Sequence, residues 1–275
     1  MEVNPKAAEI LRIAHEGRYE TADGSVDVSA ALAASVEGSR TWSPDALERV
    51  LAARARSATS LDLPIEVTGE TTQEAAFRLA HESAPNLALL NFASAKNPGG
   101  GFLGGAKAQE EDLCRCSLLY LAIEPQRLYY ETNRARRGTD AALYTDHLIH
   151  SPQVPFLRVR SKGPWVAPVF ADVITAPAPN ARALDLTQHG AALERAFRHR
   201  ARLVIALAAE QGHRSLILGA WGCGAFRNDP VLAADAFSDA LATVDHGFTR
   251  VVFAVFDPRS DAPNTRAFER RFARA

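Results

Sequence analysis

The stretch Asn86-Leu-Ala-Leu-Leu-Asn-Phe-Ala93 leads into Asn97-Pro-Gly-Gly-Gly-Phe-Leu-Gly-Gly105 and then into Gln109-Glu-Glu111. The first segment is short, apolar and bounded by turn residues, which reads as a buried strand. Over 108–123, Leu113, Cys114, Leu118, Leu121 and Ala122 recur at helical spacing. Helices are expected over 5–17, 44–57, 71–81, 188–211, 230–244 and 262–273. Strands are expected over 64–68, 143–150, 166–175, 215–220 and 250–256. This alternation implies an α/β fold, a three-layer sandwich with a central mixed sheet and helices on both faces. Residues 125–164 are polar, basic and proline-containing, and read as a candidate insertion. In such sheets ligands sit beyond the C-terminal strand ends. The two loops richest in glycine, 97–105 and 219–226, occupy such places.

The 275 residues are expected to form one domain, with an N-terminal helical extension over 1–60 and a core over 61–275. Apolar residues make up 47% of the chain, enough for a sizeable core. The net charge of −1 argues against a general or sequence-specific nucleic-acid binder. Arg134, Arg136 and Arg137, and Arg195, Arg198, Arg200 and Arg202, therefore read as solvated faces rather than a guide for a polyanion. Three cysteines exclude a disulfide framework and fit a reducing cytoplasm. Cys114 and Cys116 lack a second Cys/His pair of zinc spacing, so no metal is expected. The N-terminus lacks an apolar signal region, and no run of about 18 apolar residues occurs, so no membrane partner is expected.

Five glycines in the nine residues 97–105 carry an entropic cost, which a fold retains where backbone passes close to something. Free N–H groups before a helix form a phosphate cradle. The run is not a Walker loop, because Lys107 is not followed by Ser or Thr. Glu110 and Glu111, counted three and four residues on, look along the core-facing stripe. Carboxylates are rarely buried without a purpose. A helix N-terminus lowers a carboxyl pKa, whereas burial, a second carboxylate and a nearby pyrophosphate raise it. A general acid needs the second set to win, which is expected once substrate is bound. The loop Gly219-Ala-Trp-Gly-Cys-Gly-Ala-Phe226 offers further N–H groups and an aromatic ring, with Asn228 or Asp229 to cap the following helix. Glu70, after Gly69, is either a helix cap or an acceptor for an exocyclic amine.

Gly99-Gly100-Gly101, seven residues, then Gln109-Glu110-Glu111 resembles the signature of poly(ADP-ribose) glycohydrolases. The chain from its first helix through Phe256 is similar to the bacterial-type members, which are macrodomain-like. The resemblance implies that Glu111 is catalytic, that Glu110 binds ribose hydroxyls, and that Gln109 orients the pair. It further implies that Asn97 contacts the distal ribose. Gly99, Gly100 and Gly101 would bracket the pyrophosphate together with Gly222, Cys223, Gly224 and Ala225, and Phe226 would pack near the distal ribose. Glu70 stands where macrodomains carry an adenine-binding Asp. The helix over 5–17 would cap the terminal adenosine ribose and direct cleavage to chain ends. No cofactor is implied. The implied partners are poly(ADP-ribose), ADP-ribose and ADP-ribosylated proteins, with the enzyme a monomer that reverses ADP-ribosylation in the DNA damage response. Two other activities use the same loops: non-catalytic ADP-ribose binding, and hydrolysis of mono-ADP-ribose or O-acetyl-ADP-ribose esters.

Overall fold

The computed structural model describes residues 3–58 and 63–273. The expected boundary between extension and core, at residues 60 and 61, lies outside the described residues. The strands are β1 (Arg18–Thr21), β2 (Gly24–Asp27), β3 (Arg40–Trp42), β4 (Ile65–Thr68), β5 (Leu87–Phe92), β6 (Leu148–Phe156), β7 (Val169–Ala176), β8 (Ser215–Leu218) and β9 (Arg250–Ala254). The helices are α1 (Pro5–Glu16), α2 (Ser29–Gly38), α3 (Pro44–Arg54), α4 (Thr72–His81), α5 (Gln109–Cys116), α6 (Leu119–Ile123), α7 (Arg127–Ala135), α8 (Leu186–Glu210), α9 (Pro230–Thr243) and α10 (Pro263–Phe272).

Seven strands form one sheet in the order β3-β6-β7-β5-β8-β9-β4, while β1 and β2 make a separate hairpin. The strands from β7 through β4 run parallel; β6 is antiparallel to both β7 and β3. On central strand β5, Leu87 and Leu89 join a core on one face with Leu79, Leu113 and Ile10. Ala88 and Leu90 join the opposite core with Phe197, Val204 and Phe237. Successive side chains alternate across a strand, so β5, apolar except for Asn91, must be covered on both faces. That gives the three layers expected. Residues 3–58 contribute to both layers: Leu47 and Leu51 of α3 enter one core, Ile10 and Ile13 of α1 the other.

Three expectations about the fold are overturned, and β1, β2, α2 and β3 were not anticipated. The helix expected over 108–123 is two helices, α5 and α6. Ser117 between them is extended (φ −146°, ψ 175°) and bridges to Phe156. Its hydroxyl donates to the Leu113 carbonyl and accepts from the Leu119 amide, replacing the helical bonds. Apolar spacing continues across the break, so periodicity alone does not register it. Residues 125–164 are not an insertion, since they hold α7 and β6, and β6 lies inside the sheet between β3 and β7. Pro152 and Pro155 disguise β6. A bulge between Ser151 and Val154 accommodates Pro152, with Gln153 in the left-handed region (φ +46°).

Arg200 is the third. It is not on a solvated face but 1% exposed, and its guanidinium bonds Asp146, the Pro177 carbonyl and the Leu143 carbonyl. It ties the end of β7 to the segment before Tyr144. Arg200→Met is expected to lower stability by about 3 kcal/mol, since two buried carbonyls and a carboxylate lose their donor. Urea denaturation checks this. Arg198, by contrast, is an outer arginine paired with Glu194 and Asp239. Among the described residues no helix is long and apolar enough to cross a membrane.

Candidate active site

The C-terminal ends of β5 and β8 open into a cleft of about 1580 Å³. The glycine loop after β5 forms one wall. Gly99 and Gly100 adopt φ values of +64° and +58°, a sharp turn that residues with a Cβ rarely make. The loop is pinned rather than slack. Phe102 within it is wholly buried, 5.1 Å from the Tyr120 ring, and the Asn4 amide donates to the Leu103 carbonyl. The start of α1 thereby docks on the loop, and Asn4, Pro5 and Lys6 line the cleft.

Helix α5 begins directly behind this loop and presents both acids. Glu111 is 7% exposed. Its Oε1 accepts from the Gly101 amide at 2.8 Å and its Oε2 from the Ala108 amide at 3.0 Å. The second bond is half of a capping box, made without help from the Ala108 side chain. Glu110 is buried more deeply and accepts from the Ser94 amide (2.7 Å) and Asn91 Nδ2 (3.2 Å). The two carboxylates converge on Gly100. A Cβ there would lie 2.4 Å from Glu111 Oε1 and 3.1 Å from Glu110 Oε2.

Burial pushes the Glu110 carboxyl up to about 8; the Ser94 and Asn91 hydrogen bonds oppose this, and the charge of Glu111 adds to it. The folded protein therefore holds a proton that the unfolded chain releases above the ordinary carboxyl value of 4.5. Stability from this group is fully present below that value and is lost as pH rises toward 8. Each tenfold difference in proton affinity between the folded and unfolded chain corresponds to about 1.4 kcal/mol. Glu110→Gln is thus expected to flatten the fall in melting temperature between pH 5 and pH 8. Parallel melting curves for the two proteins would contradict a buried, neutral Glu110.

Gln109 does not touch either acid. Its Oε1 accepts from the Phe92 amide, and its Nε2 donates to Thr72 Oγ1 and the Leu90 carbonyl. It fastens the start of α5 to β5 and so fixes the acids through backbone. The opposite wall is the loop after β8. Gly222 has φ +73°, and a Cβ there would lie 2.5 Å from both Ala178 Cβ and Asn228 Nδ2. Asn228 Nδ2 donates to the Pro179 and Gly222 carbonyls, holding the loop, and Asp229 caps α9. Phe226 faces Tyr144 with ring centroids 6.0 Å apart.

Asn97, Gly100, Gly101, Gln109, Glu110, Glu111 and the run Gly222–Phe226 all line this one cleft. Two expected residues do not. Gly99 turns inward against Tyr120, Phe102 and Cys114. Glu70 is held by two 2.8 Å hydrogen bonds from Arg78, which draw its carboxyl below the ordinary range, and it lies off the cleft wall. It does not cap α4 either; Thr71 does. Asn91 and Tyr144 went unread in the sequence. Asn91 had a signal, being the polar residue in an apolar strand. Tyr144 had none, lying in the segment read as an insertion.

The model of the catalytic domain of microbial-type PARG, poly(ADP-ribose) glycohydrolase, matches residues 7–159. The chain belongs to this family. The Thermomonospora curvata poly(ADP-ribose) glycohydrolase bound to the inhibitor ADP-HPD is 41% identical, with 97% of this chain and 98% of that one covered at a TM-score of 0.87. The Deinococcus radiodurans enzyme in complex with ADP-ribose is 48% identical, covering 88% and 97% at a TM-score of 0.81. No curated protein sequence matches. The sheet and its two helical layers are thus the macrodomain-like fold of poly(ADP-ribose) glycohydrolases, and the chain is a hydrolase of that class. All three cysteines are free and buried. Burial pushes the Cys116 thiol up to about 12 and raises those of Cys114 and Cys223, which suits packing rather than nucleophilic attack.

Proposed function

We propose that the enzyme removes ADP-ribose units from the ends of poly(ADP-ribose) by hydrolysing the ribose–ribose bond, with Glu111 as general acid and then general base. One observation carries the assignment. Of the two acids at the start of α5, Glu111 is the one drawn against the glycine loop by the Gly101 amide, at the surface of the cleft. In a glycosidic cleavage through an oxocarbenium-like state, Glu111 protonates the departing 2′ oxygen. The pyrophosphate of the same unit, cradled between Gly100–Gly101 and Gly222–Ala225, stabilises the cation. The resulting carboxylate then takes a proton from the attacking water. This scheme uses one catalytic carboxylate and no metal at the cleft.

Glu110, neutral and inward, binds a ribose hydroxyl and fixes the scissile bond. Asn97 contacts the distal ribose and Phe226 packs beside it. The start of α1 closes over the terminal adenosine ribose and leaves no room for a further unit beyond it; Asn4 and Lys6 on the cleft wall support this reading. The substrates are ADP-ribosylated proteins of a reducing, cytoplasmic compartment, in the response to DNA damage, and the enzyme acts as a monomer. Incubation with polymer on automodified polymerase tests the activity. Accumulation of free ADP-ribose from the first time points is expected. Release of long oligomers first would overturn end-directed cleavage, and binding without release would favour a non-catalytic reader.

A further inference from the structure

At the opposite end of the sheet's central strands, His150 of β6, Asp172 of β7 and His213 before β8 meet below the surface. Their ligating atoms all lie within 4.8 Å of one another, and the residues are 5%, 9% and 4% exposed. His150 Nε2 is 3.0 Å from Asp172 Oδ2, and His213 Nε2 is 3.6 Å from the same oxygen. The surroundings are built to hold them. Asp172 Oδ1 accepts from both the backbone amide and the Nε2 of Gln153, the residue strained into the left-handed region at the β6 bulge. That leaves Oδ2 for the two rings. His213 Nδ1 faces the Asn86 carbonyl, which can only accept, so Nδ1 carries the hydrogen and Nε2 the lone pair.

That lone pair points at a carboxylate oxygen. His213 Nε2 is buried and, among the described residues, has no hydrogen-bond partner. A divalent cation removes the repulsion and uses all three donors. In a tetrahedral zinc site the ligand atoms stand roughly 3.3 Å apart, given bonds of about 2.0–2.1 Å. The 3.0 and 3.6 Å separations bracket that spacing. Bonds from a carboxylate anchored at its other oxygen, and from an imidazole whose other nitrogen donates to a carbonyl, are the usual supports of metal ligands.

We propose that His150, Asp172 and His213 form a binding site for a divalent transition-metal ion of the zinc type, with water as the fourth ligand. The site lies away from the chemistry. Asp172 pairs with Ala88 near the start of β5, whereas the acids hang beyond its far end, roughly 10 Å or more along the strands at about 3.3 Å per residue. The ion joins β6 and β7 to the α8–β8 turn and stabilises the fold.

The test is titration of chelator-stripped, full-length protein with Zn²⁺ and with Co²⁺, followed by calorimetry, thermal melting and visible absorption. One saturable equivalent, a higher melting temperature and the absorption bands of tetrahedral Co²⁺ are expected. His213→Gln and His150→Gln, checked for native circular dichroism, should each weaken binding about tenfold or more. If the variants fail to fold, ring ¹⁵N spectra of the wild-type protein decide, with two histidines shifting together at one equivalent. The proposal is overturned if the wild-type protein takes up no stoichiometric metal. It is equally overturned if folded variants bind as well as wild type, or if no pair of ring nitrogens responds. A metal-free His150–Asp172 hydrogen bond is then the whole of the cluster.

Discussion

Glu111→Gln is expected to lower kcat on poly(ADP-ribose) on the order of 10³-fold, within the range that a positioned general acid supplies. Affinity for ADP-ribose should change little, because the amide keeps the size of the side chain and the loops proposed to cradle the pyrophosphate would do so through backbone N–H groups. A small stability cost accompanies it. Each Glu111 oxygen accepts a backbone N–H, from Gly101 and from Ala108. An amide can accept with only one of its two ends, so one bond is lost, at about 1 kcal/mol. Turnover on defined polymer, with ADP-ribose affinity by calorimetry, separates chemistry from binding. Near-normal kcat would remove Glu111 from its role, and equal losses in affinity and rate would make it a binding residue.

The second large effect is expected from one methyl group. Gly100→Ala would place a Cβ 2.4 Å from Glu111 Oε1 in a backbone conformation of φ +58°. The backbone strain costs about 1–3 kcal/mol. The clash is relieved most easily by moving the end of the Glu111 side chain, and a displacement of about 1 Å at a catalytic group costs about 10²-fold in rate. The variant should therefore fold, melt somewhat lower and lose about 10²-fold in kcat. Loss of folding without a kinetic defect in the folded fraction would show that Gly100 serves the turn alone. Gly104 provides the contrast, since it lies off the cleft wall and a Cβ there meets nothing within 4 Å among the described residues. Gly104→Ala should leave the rate within a small factor of wild type.

What the sequence disclosed follows from which physical signals are local. The apolar run of β5, the glycine turn behind it and the helical spacing from Leu113 mark a strand, loop and helix without tertiary information. The inward direction of Glu110 follows from the same spacing. The cap on the glycine loop depends on Asn4 meeting Leu103, a contact about a hundred residues apart that composition does not announce. The strand expected over 143–150 runs instead from Leu148 to Phe156; its second half was hidden because Pro152 and Pro155 normally exclude a central strand, and the bulge at Gln153 that admits Pro152 depends on Asp172. Gln109 could be counted but not aimed: its hydrogen bonds to Phe92, Leu90 and Thr72 exist only once β5 and α4 lie beside it. Glu70 could serve adenine until Arg78, eight residues on, engaged it.

The most direct measurement is a crystal structure of the Glu111→Gln protein with a short poly(ADP-ribose) oligomer. The carboxamide at position 111 is expected within hydrogen-bond distance, about 3 Å, of the oxygen joining the two riboses, with the pyrophosphate between Gly100–Gly101 and the Gly222 loop. A linking oxygen lying nearer to Glu110, or an oligomer bound away from both glycine loops, would contradict the account.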